Sequence, residues 1–217
     1  MYIQKIHNGT SFQANIPKVI PSVYRTTQSK SNTIAVLGSS KSTNDILKYM
    51  DICSKSVRAM VLNGKNIVTG CGSMGIMGSA FYSAKNNSKK NEEGKPLQNL
   101  AIVTEPLWGD EDLENCIALA SANSEAERIE KFSEVADTMI IFAGSTTTLQ
   151  EATTLITKNY YGKEEVKKKI VLVGKDFFNG LIEQYNKLYE TGLIKSKPSE
   201  LFTVVDNEEE LKQVIGY

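Results

Sequence analysis

Arg128 and Glu151 bracket TMIIFAG, the most apolar strand-like run of the chain. The arginine lies in a helical pattern just before this run, and the glutamate lies one turn into the helical pattern just after it. Two helices flanking one buried strand can both start at the same crevice. An arginine there would lower the pKa of the carboxyl and keep it ionised for acid–base work. Either charge alone is more often a solvated surface group. The chain's other resources direct attention to the pair. It has one histidine, His7, in a polar N-terminal stretch. A Ser-His-Asp triad, a Cys-His pair or a multi-histidine zinc site would need that residue to fold back into the site. Proton transfer otherwise falls to carboxylates, Lys, Tyr or Cys.

Three strand-to-helix turns are built from small residues. They are Gly38-Ser39-Ser40, the run Gly70-Cys71-Gly72-Ser73-Met74-Gly75-Ile76-Met77-Gly78, and Gly144-Ser145-Thr146-Thr147-Thr148. Small residues let backbone N–H groups approach a ligand, and the following helix adds partial positive charge. Hydroxyls in the same turns can donate further, so the set makes a phosphate cradle without lysine. One such turn is as often a tight connection; three on one sheet edge point to a ligand. Gly70, Gly72 and Gly75 also satisfy G-x-G-x-x-G. A dinucleotide site should then have an acidic residue about 20 positions on, at the end of the next strand. Glu92 and Glu93 fall in a Lys/Asn-rich loop and Glu105 comes too late, so NAD is poorly supported.

These groups are positioned by a repeating strand–helix pattern. TIAVLGSS, NIVTG, NLAIVTEP, TMIIFAG, KKIVLVG and LFTVV read as strands. Helical spacing covers Asn44–Leu62, the stretch opening at GCGSMGIMG, Ser124–Val135, Thr146–Tyr160, Phe177–Tyr189 and Asn207–Ile215. A short helix is expected over Asp110–Ala120, and Leu149, Ala152, Thr153, Ile156 and Tyr160 form the expected inner stripe of the Thr146–Tyr160 helix. Strands without clean alternation, each followed by a helix, imply a parallel sheet buried on both faces. The expected fold is α/β, a Rossmann-like doubly wound parallel sheet flanked by helices. It forms a single domain over 31–217, and residues 1–30, with Pro17 and Pro21, form an extension.

Bulk composition narrows the partners. Lys+Arg and Asp+Glu are both 25, which favours no polyanion, and no basic stripe suits nucleic acid. No apolar run approaches the roughly 20 residues of a membrane helix, and the N-terminus lacks the apolar core of a signal peptide. A cytoplasmic location is expected. Cys53, Cys71 and Cys116 are odd in number and widely spaced, so each is expected to be a small buried hydrophobe rather than a disulfide half or metal ligand.

GCGSMGIMG resembles the Gly-Gly-Gly-Ser-x-Gly-Leu-Met-Gly segment of the Lonely Guy family, proteins long labelled lysine decarboxylases. Residues 136–151, ADTMIIFAGSTTTLQE, resemble the family's Pro-Gly-Gly-x-Gly-Thr-x-x-Glu motif with its preceding strand. Thr148 and Glu151 take the threonine and glutamate positions, and Glu127-Arg128 matches the family's Glu-Arg-Lys. Gly38-Ser39-Ser40 is similar to its first-strand Gly-Ser-Ser. The resemblance covers about residues 33–217. It implies a homodimer that binds an AMP-like nucleoside 5′-monophosphate near the subunit interface and hydrolyses its N-glycosidic bond. Glu151 and Arg128 would be the catalytic pair. Gly38, Ser39, Ser40, Gly72, Ser73, Met74, Gly75, Gly144, Ser145, Thr146, Thr147 and Thr148 would hold ribose and phosphate. The chemistry requires no metal and no organic cofactor. The alternative is a non-catalytic nucleotide- or molybdenum-cofactor-binding carrier of the same fold.

The chain departs from the family pattern in several places. Ala143 replaces the motif proline, Ser145 and Thr147 replace glycines, and Ile129 replaces the lysine. If the Thr147 position needed φ > 0, a β-branched residue would strain it and the loop would have to change shape. Residues 85–97 resemble an insertion that would cap or narrow the site.

Overall fold

The apolar runs that lack alternation do become strands covered on both sides. The structure, a computed structural model, describes residues 32–92, 94–104 and 115–217. The expected extension over 1–30 lies outside these residues. The strands are β1 (Thr33–Leu37), β2 (Asn66–Thr69), β3 (Asn99–Thr104), β4 (Ile117–Ala122), β5 (Thr138–Ile141), β6 (Lys169–Val173) and β7 (Thr203–Val205). The helices are α1 (Leu47–Leu62), α2 (Gly75–Asn87), α3 (Glu125–Val135), α4 (Thr146–Tyr161), α5 (Lys175–Glu190), α6 (Pro198–Leu201) and α7 (Glu208–Ile215). The sheet is parallel throughout, with order β4-β3-β2-β1-β5-β6-β7.

Alternate residues of each strand feed two cores. On one face Ile34, Val36, Ile67 and Ile140 pack against Cys53, Val57 and Met60 of α1 and Ile76, Ala80 and Ala84 of α2. On the other, Ala35, Leu37, Val68, Met139 and Ile141 pack against Ile129 and Phe132 of α3, Ala152, Leu155 and Ile156 of α4 and Phe178 of α5. The chain builds outward from β1 to β4 on one side, then crosses back to place β5 on β1's other edge. β1 and β5 therefore flank the switch point, and a crevice opens beyond their carboxyl ends. Ser39 N donates to Ala143 O across that gap at 3.0 Å, which ties the two turns together.

Three expectations are corrected. The short helix over Asp110–Ala120 does not form where it can be seen, because Ile117–Ala122 is edge strand β4. Its run of small residues is too short to nucleate a helix, and β3 offers a ready ladder with a register shift between Ala101 and Ile102. The buried stripe of α4 is Thr148, Glu151, Ala152, Leu155, Ile156 and Asn159, while Leu149 is 40% exposed. The apolar periodicity misled because three of the buried positions are polar. Asn159 earns its place by exchanging two 2.8 Å hydrogen bonds with the Lys168 backbone, which holds α4 to the start of β6. Finally, the stretch over 85–97 is not wholly an inserted loop: residues 85–87 end α2, and Asn86 and Asn87 line a groove beside Ser73–Gly75. The rest runs to the start of β3 and closes on itself through the Lys90–Pro96 bridge.

Gly75 opens α2 with φ +64°, and a Cβ there would lie 2.4 Å from Ser39 O and 2.6 Å from Lys41 O. Both obstacles are backbone. Gly75→Ala is therefore expected to destabilise by about 2 kcal/mol or more, read as a clear fall in Tm by calorimetry.

Candidate functional site

The site begins with a buried cation. Ser124 caps α3, its Oγ accepting from Glu127 N at 3.2 Å, and so starts the helix at the crevice edge. Arg128, on the first turn, is then carried inward over the end of β2 and is only 6% exposed. Its guanidinium lies against Gly70, where an ideal Cβ would fall 1.6 Å from Nη2. Only glycine leaves room for that arm. Nη1 donates to Glu125 Oε2 at 3.5 Å, and Nε is buried with no partner. A guanidinium this buried, held by one long ion pair, has donor capacity left for an anion.

Glu151, 7% exposed, shares the crevice from α4. Among the described residues it makes no hydrogen bond or ion pair with Arg128. Burial pushes its carboxyl up to about 7; Arg128 pulls down and Glu125 pushes up, but desolvation dominates. This corrects the expectation that Arg128 would hold the carboxyl low. The reason is physical: without a direct contact, Arg128 does not offset the loss of water around the carboxylate. Glu127, by contrast, faces away. It accepts from Asn123 N at 2.8 Å and pairs with Lys131 at 3.1 Å, and the hydrogen bond from the Asn123 backbone, with help from Lys131, draws its pKa down. The Glu of the Glu-Arg pair thus works as a helix cap.

The turns divide into closed and open ends. At α2, Gly75 N donates to Ser42 Oγ at 3.1 Å and Met77 N to Ser39 O at 3.2 Å, so the chain's own 38–42 turn occupies that helix end. Ser39 Oγ is engaged with Lys41 O and N at 2.9 Å. At α4, Ser145 gives no side-chain cap; its Oγ instead bonds Thr147 Oγ1 at 2.8 Å. The first N–H groups of α4 are left for a ligand. Thr148 is buried and folds back over Gly144, where a Cβ would fall 2.1 Å from its Oγ1. Ser145, Thr146 and Thr147 are exposed beside it. Thr147 lies within α4 and has no positive φ, so the substitution of the family glycine is unstrained.

Gly38 is buried at the end of β1 and Ser40 is exposed. Gly72 packs near Met77, and Ser73, Met74 and Gly75 line a groove of about 420 Å³ between α1 and α2 with Ser42, Arg58 and Tyr82. That groove lies on the α1/α2 face, whereas Arg128 and Glu151 belong to the α3/α4 face. Residues 73–75 and 144–148 therefore open onto different sides of the 38–42 turn. Sequence reasoning missed Gly70 as the slot for Arg128 and Glu125 as its anchor; the i,i+3 spacing of Glu125 and Arg128 was the available signal. It also missed that Cys71 and Cys116, both fully buried, bring their sulfurs within 3.4 Å. Cys71 is the one described non-glycine residue with positive φ, at 62°.

Two outcomes follow. Glu151 binds its proton more tightly folded (about 7) than unfolded (4.5). Its contribution is thus favourable below pH 4.5, fades as pH rises to about 7, and stays level above. Glu151→Gln should be more stable than wild type at pH 8, by up to about 3 kcal/mol, with the gap closing by pH 4 in thermal melts. Gly70→Ala should displace the Arg128 arm and lower Tm by a few degrees, read by calorimetry.

Comparison with known proteins follows the same outline. The family described as "Possible lysine decarboxylase" matches residues 50–215. The structure is similar to the molybdenum cofactor binding protein from the phototrophic bacterium Rippkaea orientalis, at 17% identity and TM-score 0.59, with 86% of this chain and 96% of that one covered. It is similar also to the molybdenum cofactor carrier protein from Chlamydomonas reinhardtii, at 15% identity and TM-score 0.54, covering 86% and 99%. At such identities the likeness is one of fold. No curated protein matches the sequence. With the match running from the first turn of α1 to the end of α7, and with the motif turns in order along the sheet edge, the chain belongs to the family of possible lysine decarboxylases, the Lonely Guy type.

Proposed function

We propose that the protein hydrolyses the N-glycosidic bond of a purine or N6-modified purine nucleoside 5′-monophosphate, giving free base and ribose 5-phosphate. The observation that carries this reading is the buried Arg128, with an unpartnered Nε, beside a buried Glu151 that titrates near neutrality. The 5′-phosphate would take the open N–H groups of Thr146–Thr148, with hydroxyls of the same turn. The spare donors of Arg128 would hold ribose oxygens or acceptor nitrogens of the purine ring. Ionised Glu151 accepts a proton as water adds to C1′. The C1′–N bond breaks, its electron pair goes to the base, and the proton then passes to the leaving nitrogen. The oxocarbenium-like state is stabilised by the same carboxylate. Base catalysis supplies ~10²–10⁴ in rate, and orientation through the phosphate supplies much of the rest. A homodimer is part of this reading, as the family resemblance implies.

A second reading, a carrier that binds a phosphorylated cofactor without cleaving it, is favoured by the Ser145–Thr147 hydroxyl contact that rebuilds the phosphate turn. It agrees with the cargo named for the two structural neighbours.

Incubation with a panel of nucleoside monophosphates, followed by chromatography of free base, separates the two. Base release should vanish in Glu151→Ala and rise with pH between 6 and 8, because the ionised fraction grows through about 7. Release from no member, together with thermal stabilisation by one of them or by molybdenum cofactor, would replace hydrolysis with carriage.

A further inference from the structure

Glu125, the first residue of α3, is the acid among the described residues that pairs with Arg128. We propose that Glu125 is a positioning residue of this site: its carboxylate fixes Nη1 of Arg128 and with it the plane of the guanidinium, and it sets a second negative charge beside Glu151. The proposal rests on reading Arg128 and Glu151 as the working pair. It adds a residue that none of the family motifs includes.

Three observations support it. The guanidinium is planar, so fixing one nitrogen fixes the direction of the others. Nη1 meets Glu125 Oε2 at 3.5 Å, Nη2 lies on Gly70, and Nε remains unpartnered. Second, the arginine side chain is 7% exposed and that of Glu125 is 32%, so the pair sits at the crevice wall rather than free in solvent. Third, among the described residues few other charges bear on Glu151. From α3 come Arg128 and Glu125. The turn after β1 contributes the exposed Lys41, the turn after β2 only the Cys71 thiol, and the turn after β5 nothing charged. Along α4 the next charge is Lys158, which is paired with Glu130. Among the described residues, Glu125 is the acidic neighbour whose charge reaches Glu151, and that charge favours the protonated carboxyl.

The sign of the effect follows. Removing the Glu125 charge leaves Arg128 acting alone against burial, so Glu151 should ionise at lower pH. The test needs no turnover. The difference in Tm between each protein and its Glu151→Gln partner, followed from pH 4 to pH 9, reports the titration of Glu151. In Glu125→Gln the midpoint should move down by about half a pH unit or more, roughly a threefold change in proton affinity. Glu130→Gln removes a charge from the same helix but away from the crevice, and its midpoint should stay at the wild-type value. An unmoved midpoint in Glu125→Gln, or an equal shift in Glu130→Gln, overturns the proposal. If base is released, the acid limb of the rate profile should shift with the midpoint and KM should rise as Arg128 loses its anchor. If no nucleotide is hydrolysed, the enzymatic reading fails while the Tm measurement still decides the role of Glu125.

Discussion

A guanidinium buried with only part of its charge answered is the constraint around which this site is arranged. Taking Arg128 out of water is expensive, and one 3.5 Å contact to a part-exposed glutamate returns little of that loss. The fold tolerates the arrangement through specific provisions. Gly70 leaves the end of β2 bare so that Nη2 can lie there. The Phe132 ring stands 5.7 Å from Cζ, one turn along α3. α3 packs on β3 and the edge strand β4, and the length of the arginine side chain carries its guanidinium to the end of β2. Each provision costs packing or chain freedom, and leaves guanidinium donors that a ligand's neutral acceptors could take.

The helix ends show the same economy of donors. Three helices open along this edge near the site, and they are finished differently. α3 is closed by Ser124 and by Glu127 reaching back to Asn123. α2 is closed by the turn after β1, through Ser42 Oγ and Ser39 O. α4 lacks a side-chain cap because Ser145, the residue in the capping position, spends its hydroxyl on Thr147. Of these three helix ends, only that of α4 therefore combines uncapped N–H groups with the exposed hydroxyls of Ser145, Thr146 and Thr147. The long glycine-rich run after β2 serves mainly to let the 38–42 turn and the Arg128 arm approach closely.

Much of this was legible in the sequence, and the remainder was hidden for identifiable reasons. The parallel sheet follows from strands without alternation separated by helices, and the placing of Arg128 and Glu151 on helices either side of β5 follows from the helical patterns flanking TMIIFAG. The α4 stripe was misplaced because Thr148, Glu151 and Asn159 are buried polar residues, which periodicity of apolar residues cannot register. IALASA read as helix because small residues carry no strong period, and only the neighbouring β3 makes it a strand. Gly70 looked like one glycine among several, since its partner lies 58 positions away in the chain. Cys71 and Cys116, 45 residues apart, meet at 3.4 Å for the same reason. Cys71 accepts a left-handed backbone, at a cost of about 1 kcal/mol, and its side chain is buried there.

The ionisation of Glu151 is where these features meet, and it shows why sequence adjacency of opposite charges is a poor guide to pKa. Two charges in direct contact at the protein surface attract by about 4 kcal/mol, enough to hold a carboxyl low. Arg128 and Glu151 share a crevice without touching, and Arg128 already spends one arm on Glu125. Burial then wins, and the carboxyl rests near 7, the range in which a proton can be taken up and returned at little free-energy difference. An anion seated directly on Arg128 would cancel the one attraction favouring the ionised form and would drive the carboxyl further up. An anion seated on the open end of α4 has its charge met by backbone N–H groups instead and leaves Arg128 to act on Glu151. On the proposed reading, a separate anion seat at Thr146–Thr148 would add more than affinity: it would keep phosphate binding and carboxylate ionisation from opposing one another.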